Sequence, residues 1–116
     1  MSNFIIYHNP RCSKSRQTLQ LLEDNGITPD IVLYLDKPLT ETEIKTLLVT
    51  LGIPARALLR RGEDAYKDNQ LNNLDLSDGY LVAMMAVHPK LIERPIVVKE
   101  GAAIIGRPPE NVLTLI

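Results

Sequence analysis

The chain has 116 residues, 45% of them hydrophobic, and its 13 basic and 14 acidic side chains give a formal net charge of −1. This length and composition predict one domain, over residues 1–116, with a hydrophobic core. The nearly neutral charge argues against a nucleic-acid-binding protein, which needs excess positive charge to neutralise phosphates. Because no apolar run approaches the roughly 20 residues of a membrane span and the start lacks signal-peptide features, we expect no membrane association and a cytoplasmic protein.

The N-terminal third predicts a strand, a helix and a second strand in succession. Phe4–Tyr7 is a short run of strand-forming residues. Ser13–Asn25 has inward-facing leucines at helical spacing, and Gly26 follows it as a stop signal. Ile31–Leu35 predicts a second, buried strand. A strand–helix–strand order favours parallel pairing of the two strands through a right-handed crossover.

Helices dominate the middle of the sequence. Thr40–Leu51 is the clearest, because its first residue and Glu43 have capping-box spacing and apolar residues follow at i, i+3, i+4 and i+7. Pro54 opens a further short helix. Residues 61–76 are polar and predict a loop with one helical turn, and Ser77–Val87 predicts another helix.

The C-terminal part predicts a β-hairpin and a closing helix. Ile96–Val98 and Ala102–Ile105 are strand-like segments joined by a Glu100-Gly101 turn, and Pro108–Leu115 predicts a helix or helical turn. Pro95, just before the hairpin, is a candidate for a cis peptide bond. The whole order fits an α/β, thioredoxin-like fold with a helical insertion between an N-terminal βαβ unit and a C-terminal ββα unit.

The segment HNPRCSKSR, residues 8–16, contains the only cysteine of the chain, Cys12. It falls after the first predicted strand and before the first helix, where unpaired backbone N–H groups and the helix dipole favour a thiolate. Three cationic side chains share this segment: Arg11, Lys14 and Arg16. His8 adds further positive charge if it is protonated. The pattern therefore predicts an activated nucleophile.

The same segment has the features of an oxyanion site, because free N–H groups and the small Ser13 and Ser15 leave room for a tetrahedral anion. A lone cysteine is often only a small buried residue, but polar neighbours favour the nucleophile here. One cysteine excludes an internal disulfide, and Ser15 stands where a dithiol motif needs its second cysteine. Phosphatase-type loops need an arginine where this chain has Thr18. The two histidines and one cysteine are too dispersed in sequence to predict a metal site.

Four segments resemble the glutathione- and glutaredoxin-coupled arsenate reductases: HNPRCSKSR at 8–16, ALLRR at 57–61, HPKLIERPIVV at 88–98 and IGRPPE at 105–110. They follow the order and spacing of that family across nearly the whole chain. The resemblance implies a thioredoxin-like fold and the reduction of arsenate to arsenite, an activity tied to arsenic resistance. It also implies no bound cofactor, with glutathione and glutaredoxin as external reductants.

The resemblance also assigns residues to roles. It makes Cys12 the nucleophile, with His8 supporting its low pKa, Ser15 in a supporting position and Pro95 as the cis-proline of the fold. Three arginines are assigned to hold the oxyanion: Arg60, Arg94 and Arg107. Arg61 is then a bystander, since Arg60 takes the matching position.

Two alternatives remain open at this point. Arg11 and Lys14 make the cysteine loop more basic than in the familiar arsenate reductases, which leaves the physiological substrate open. The first alternative is a regulatory protein of the Spx type. Related chains of that type contact RNA polymerase, although they carry a Cys-x-x-Cys switch that this chain lacks. The second alternative is a general glutathione-linked thiol transferase acting on mixed disulfides of proteins.

Overall fold

The computed structural model describes residues 3–116, and the first two residues lie outside that description. The chain divides into two compact units, one comprising the described part of Met1–Lys37 with Arg94–Ile116, and the other Pro38–Glu93. The second unit coincides with the predicted helical insertion, and the first contains the predicted strands. The expectation of one domain over the whole chain stays a prediction.

A four-stranded sheet lies at the centre of the first unit, in the order β2-β1-β3-β4. Its strands are β1 (Phe4–Tyr7), β2 (Asp30–Val32), β3 (Ile96–Lys99) and β4 (Ala102–Ile105). β2 runs parallel to β1, whereas β3 is antiparallel to both β1 and β4. In this register Ile6 lies opposite Ile31 on one side and Val97 on the other. The predicted parallel pair and the predicted hairpin are both confirmed.

The core of the first unit forms between this sheet and two helical segments. α1 (Ser13–Asp24) contacts the closing 3₁₀ helix, Pro109–Leu115, which also contacts β4. The core cluster consists of five buried apolar side chains: Phe4, Ile6, Leu22, Val97 and Val112. Burying a side chain such as Leu22 stabilises the fold by about 2 kcal/mol. The core therefore fixes α1, which begins next to Cys12, against the sheet.

The prediction of a buried second strand over Ile31–Leu35 is wrong in extent and in burial. The observed β2 is shorter, and the side chain of Ile31 is 51% exposed. β2 is one of the two edge strands of the sheet, so it has a neighbouring strand, β1, on one side only. The strand also ends early, because the backbone N–H groups of Asp36 and Lys37 both donate to the carbonyl of Leu33 in a turn.

The closing helix of the predicted ββα unit is a 3₁₀ helix instead of an α-helix. Its hydrogen bonds span three residues, as in the 3.0 Å bond from the Asn111 N–H to the Pro108 carbonyl. The side chain of Asn111 also donates to the carbonyl oxygens of Ile105 and Arg107, at 3.3 and 3.1 Å. These side-chain bonds tie the start of the 3₁₀ helix to the end of β4.

The second unit is helical, as predicted. Its α-helices are α2 (Glu41–Leu51), α3 (Asp64–Asp68) and α4 (Asp78–Val87), with 3₁₀ turns at Ala55–Leu58 and Pro89–Leu91. The capping box of α2 is present, because the Glu43 N–H donates to the Thr40 hydroxyl oxygen and the Thr40 N–H donates to the Glu43 carboxylate. Within the described residues, no helix has both the length and the apolar character needed to cross a membrane.

Candidate functional site

Cys12 occupies the N-cap position of α1 with extended backbone angles, φ −94° and ψ 123°. The loop before it is held by a tight turn. The Cys12 N–H donates to the Asn9 carbonyl at 3.0 Å, and the Asn9 side-chain oxygen accepts from the Arg11 N–H at 3.0 Å. This turn is the arrangement that asparagine favours at a helix start, and it leaves the half-buried cysteine at the first turn of α1.

The pKa of the Cys12 thiol is lowered from its ordinary value. Burial is the largest single influence and raises this pKa, because it disfavours the thiolate. Hydrogen bonds from the backbone N–H of Ser15, from the Arg94 side chain and from the backbone N–H of Lys14, together with the Arg94 charge, outweigh it. The sequence predicted that the side chains of Arg11, Lys14 and Arg16 also favour the thiolate. Among the described residues, these three side chains are not among the groups that lower the Cys12 pKa. The helix start and one distant arginine therefore activate the sulfur.

Two of the three predicted arginines lie at the sulfur. Arg94, which is half-buried, hydrogen-bonds Cys12, and Nη1 of Arg107 lies 3.9 Å from the Cys12 Sγ although the residues are 95 positions apart. Arg94 comes just before β3 and Arg107 just after β4, so the hairpin returns both to one end of the sheet. The Arg94-Pro95 peptide bond is cis, as expected. Sequence reasoning missed a second cis bond, Arg107-Pro108.

Arg60, the third predicted arginine, lies in the second unit. Its Nη1 donates to a Glu93 carboxylate oxygen at 2.8 Å, and its Nε lies 3.6 Å from a Glu63 oxygen. Its backbone N–H donates to the Leu91 carbonyl at 2.8 Å. Two carboxylates of the same unit, those of Glu63 and Glu93, therefore compensate this guanidinium. The part of Arg60 in binding an oxyanion stays a prediction.

His8 is joined to the first turn of α1 through Ser15. Its Nδ1 lies 2.6 Å from the Ser15 hydroxyl oxygen, which also accepts the Asn9 N–H at 3.1 Å. The His8 pKa is lowered, first by burial and then by the charge of Arg16. Burial and the Arg16 charge thus disfavour the protonated imidazole, which is the form in which His8 would add positive charge to the site. His8 instead anchors Ser15, whose N–H stabilises the thiolate.

This lowered pKa predicts a pH-dependent stability. In the unfolded chain His8 binds a proton near its ordinary pKa of 6.5, whereas the folded chain resists protonation. The unfolded state then binds more protons, so the free energy of unfolding falls as the pH drops below 6.5 and levels off below the folded-state pKa. We expect His8→Gln to flatten this dependence in urea unfolding between about pH 7 and about pH 5.

The matched control for that series is His88→Gln, which also removes one imidazole but lies at the end of α4. The assignment would be contradicted if His8→Gln kept the wild-type slope of stability against pH while His88→Gln lost it.

A cysteine with a lowered pKa at a helix start, with two guanidinium groups of a β-hairpin beside it, defines a class of proteins with an activated thiol. The chain belongs to the ArsC family, whose family model matches residues 7–115.

Relatives match over nearly the whole length. The chain is 53% identical to an Escherichia coli K12 protein named YfgD and described as uncharacterised, covering 96% of this chain and 94% of that one. It is 50% identical to an arsenate reductase of Haemophilus influenzae, with 97% of each chain covered. A solved arsenate reductase structure from Vibrio cholerae matches with a TM-score of 0.95 and 52% identity, covering 97% of each chain. The predicted thioredoxin-like fold and family resemblance are confirmed.

Proposed function

We propose that this protein is an arsenate reductase that reduces arsenate to arsenite with the Cys12 thiolate as its nucleophile. The observation that carries the proposal is the placement of Arg94 and Arg107 at a sulfur that the helix start already favours as a thiolate. The proposal is also supported by relatives named arsenate reductase, such as the one from Haemophilus influenzae.

The groups that stabilise the thiolate also suit the substrate. Arsenate is a tetrahedral anion near neutral pH, and backbone N–H groups at a helix start bind such anions well. Guanidinium groups bind oxyanions through two parallel hydrogen bonds. Arg94 is half-buried and keeps its charge close to the sulfur, whereas the exposed Arg107 can contact an arriving anion from solvent. The resemblance adds Arg60 as a third arginine in this proposal.

The reaction begins with attack of the Cys12 thiolate on arsenic, which forms a sulfur–arsenic bond and expels one oxygen as water. The glutathione sulfur then attacks the Cys12 sulfur of this adduct, so that a sulfur–sulfur bond forms and the sulfur–arsenic bond breaks. The electron pair of the broken bond stays on arsenic, which leaves as As(III). In the overall reaction, the thiols of Cys12 and glutathione become one mixed disulfide, and arsenite is released. The arginines stabilise the negative charge on the arsenate oxygens as the sulfur–arsenic bond forms.

The single cysteine calls for a thiol from another molecule, and the family resemblance suggests which reductants supply it. With a single cysteine, the chain cannot resolve the mixed disulfide internally, so a second molecule must attack it. We assign that step to glutaredoxin, with glutathione as the first thiol and no resident cofactor. A cytoplasmic location supplies both reductants, because thiols are kept reduced there.

The test is a coupled assay in which arsenate, glutathione, glutaredoxin and glutathione reductase are present and NADPH oxidation is followed. We expect oxidation that requires arsenate and this protein, and that stops when either glutathione or glutaredoxin is left out. Activity on a glutathionylated peptide with none on arsenate would instead indicate the thiol transferase. Capture of RNA polymerase with no turnover of either substrate would indicate the regulatory alternative.

A further inference from the structure

Gly106 lies where three segments of the first unit come together, and its backbone leaves no room for a side chain. A methyl group at this position would lie 2.7 Å from Oγ1 of Thr18, 2.9 Å from Cγ of Pro95 and 3.0 Å from Cγ2 of Thr18. Carbon atoms do not approach other heavy atoms this closely without displacing them. Glycine is therefore required here by close packing.

Hydrogen bonds join the same segments. The Gly106 N–H donates to the Pro95 carbonyl at 2.8 Å. The Thr18 hydroxyl lies 2.9 Å from the Lys14 carbonyl and 3.3 Å from the Gly106 carbonyl, across 88 positions of sequence. Thr18 is fully buried although it is polar, and its one hydroxyl hydrogen lies within reach of both carbonyl oxygens, of which that of Lys14 is the nearer.

Each residue in this contact is either the sequence neighbour of a site arginine or part of the helix that Cys12 caps. Pro95 follows Arg94, and Gly106 precedes Arg107. Thr18 belongs to α1, the helix that Cys12 caps. We infer that Thr18 and Gly106 are positioning residues, whose close contact fixes the two site arginines relative to the Cys12 sulfur. The kinetic consequence of this inference rests on the proposed function, whereas its effect on the reactivity of the sulfur does not.

The test uses Gly106→Ala, in which the added methyl group must push α1 and the arginine-bearing segments apart. Alkylation of Cys12 by iodoacetamide is measured against pH, without arsenate. We expect a higher midpoint and an alkylation rate near pH 6 that is about tenfold lower than in the wild type, because less sulfur is ionised. In the arsenate assay we expect KM to rise more than kcat falls.

Three further variants separate positioning from a general loss of structure. Thr18→Val keeps the shape and loses the hydroxyl, so we expect it to move the alkylation midpoint in the same direction as Gly106→Ala. Thr18→Ser keeps the hydroxyl and should stay within about twofold of the wild type. Gly62→Ala is the matched control, because nothing lies within 4 Å of the added methyl group. Circular dichroism and urea unfolding are used to check that each variant is folded.

The inference is overturned if folded Gly106→Ala and Thr18→Val both keep the wild-type alkylation profile and arsenate KM. Should Gly106→Ala fail to fold, the comparison of Thr18→Val with Thr18→Ser decides on the same criteria. A wild-type protein that does not reduce arsenate, but whose alkylation profile still shifts in these variants, would refute the proposed function and leave the inference standing.

Discussion

The Cys12→Ser variant is expected to lose arsenate reduction by a factor on the order of 10⁴ or more while keeping its fold. The serine hydroxyl is almost the size of the thiol but does not ionise near neutral pH, so attack on arsenic fails. Because serine is a favoured N-cap residue, the start of α1 should be at least as stable as before. The coupled arsenate assay measures the loss, and urea unfolding measures the stability.

Ser13→Ala provides the control for that experiment, since Ser13 is the exposed neighbour of Cys12 at the start of α1. We expect it to retain arsenate turnover close to that of the wild type. Glutathione-dependent arsenate reduction that persists in folded Cys12→Ser would refute the assignment of the nucleophile.

Arg94→Ala is the second substitution with a large expected effect. The Arg94 side chain both hydrogen-bonds the sulfur and supplies positive charge beside it, so its loss raises the pKa of the Cys12 thiol. It also removes a group that stabilises the arsenate oxygens. Removing one such donor from an active site lowers kcat by about 10²- to 10³-fold, and we expect a loss of that order in kcat/KM. Alkylation against pH and arsenate kinetics measure the two effects separately.

Related substitutions sharpen this prediction. Arg94→Lys keeps a positive charge but loses the planar donor fork, so it should fall between the wild type and Arg94→Ala. Arg107→Ala should act mainly on the arsenate KM, because Arg107 is exposed and its Nη1 is 3.9 Å from the sulfur. Arg61→Ala is the control, as an exposed arginine of the second unit. An unchanged alkylation profile in folded Arg94→Ala would contradict the account of how the thiolate is stabilised.

Local features of the sequence were enough to place most of the fold. The capping box at Thr40, the hairpin around Glu100-Gly101 and the first strand and helix all depend on residues close together in sequence. The exposure of β2 did not follow from its apolar residues, because it depends on which strands flank it. Strand order is a property of the tertiary structure, and short apolar runs do not reveal it.

The candidate site likewise combines features that local sequence predicts with features that only the tertiary structure shows. The position of Cys12 at a helix start followed from the local pattern, whereas Arg94 and Arg107 were named through the family resemblance. The lowered pKa of His8 could not be predicted, because it results from burial and from the charge of Arg16. The contact of Thr18 with Gly106 was also missed, since it joins residues 88 positions apart.

The central claim is that Cys12 is held as a thiolate by the start of α1 and by Arg94. Because the chain has one cysteine, the rate of iodoacetamide alkylation as a function of pH in the wild-type protein reports on this sulfur alone. We predict a midpoint clearly below that of an ordinary thiol, with substantial reactivity remaining at mildly acidic pH. A curve that coincides with that of a free thiol in the folded protein would contradict the claim.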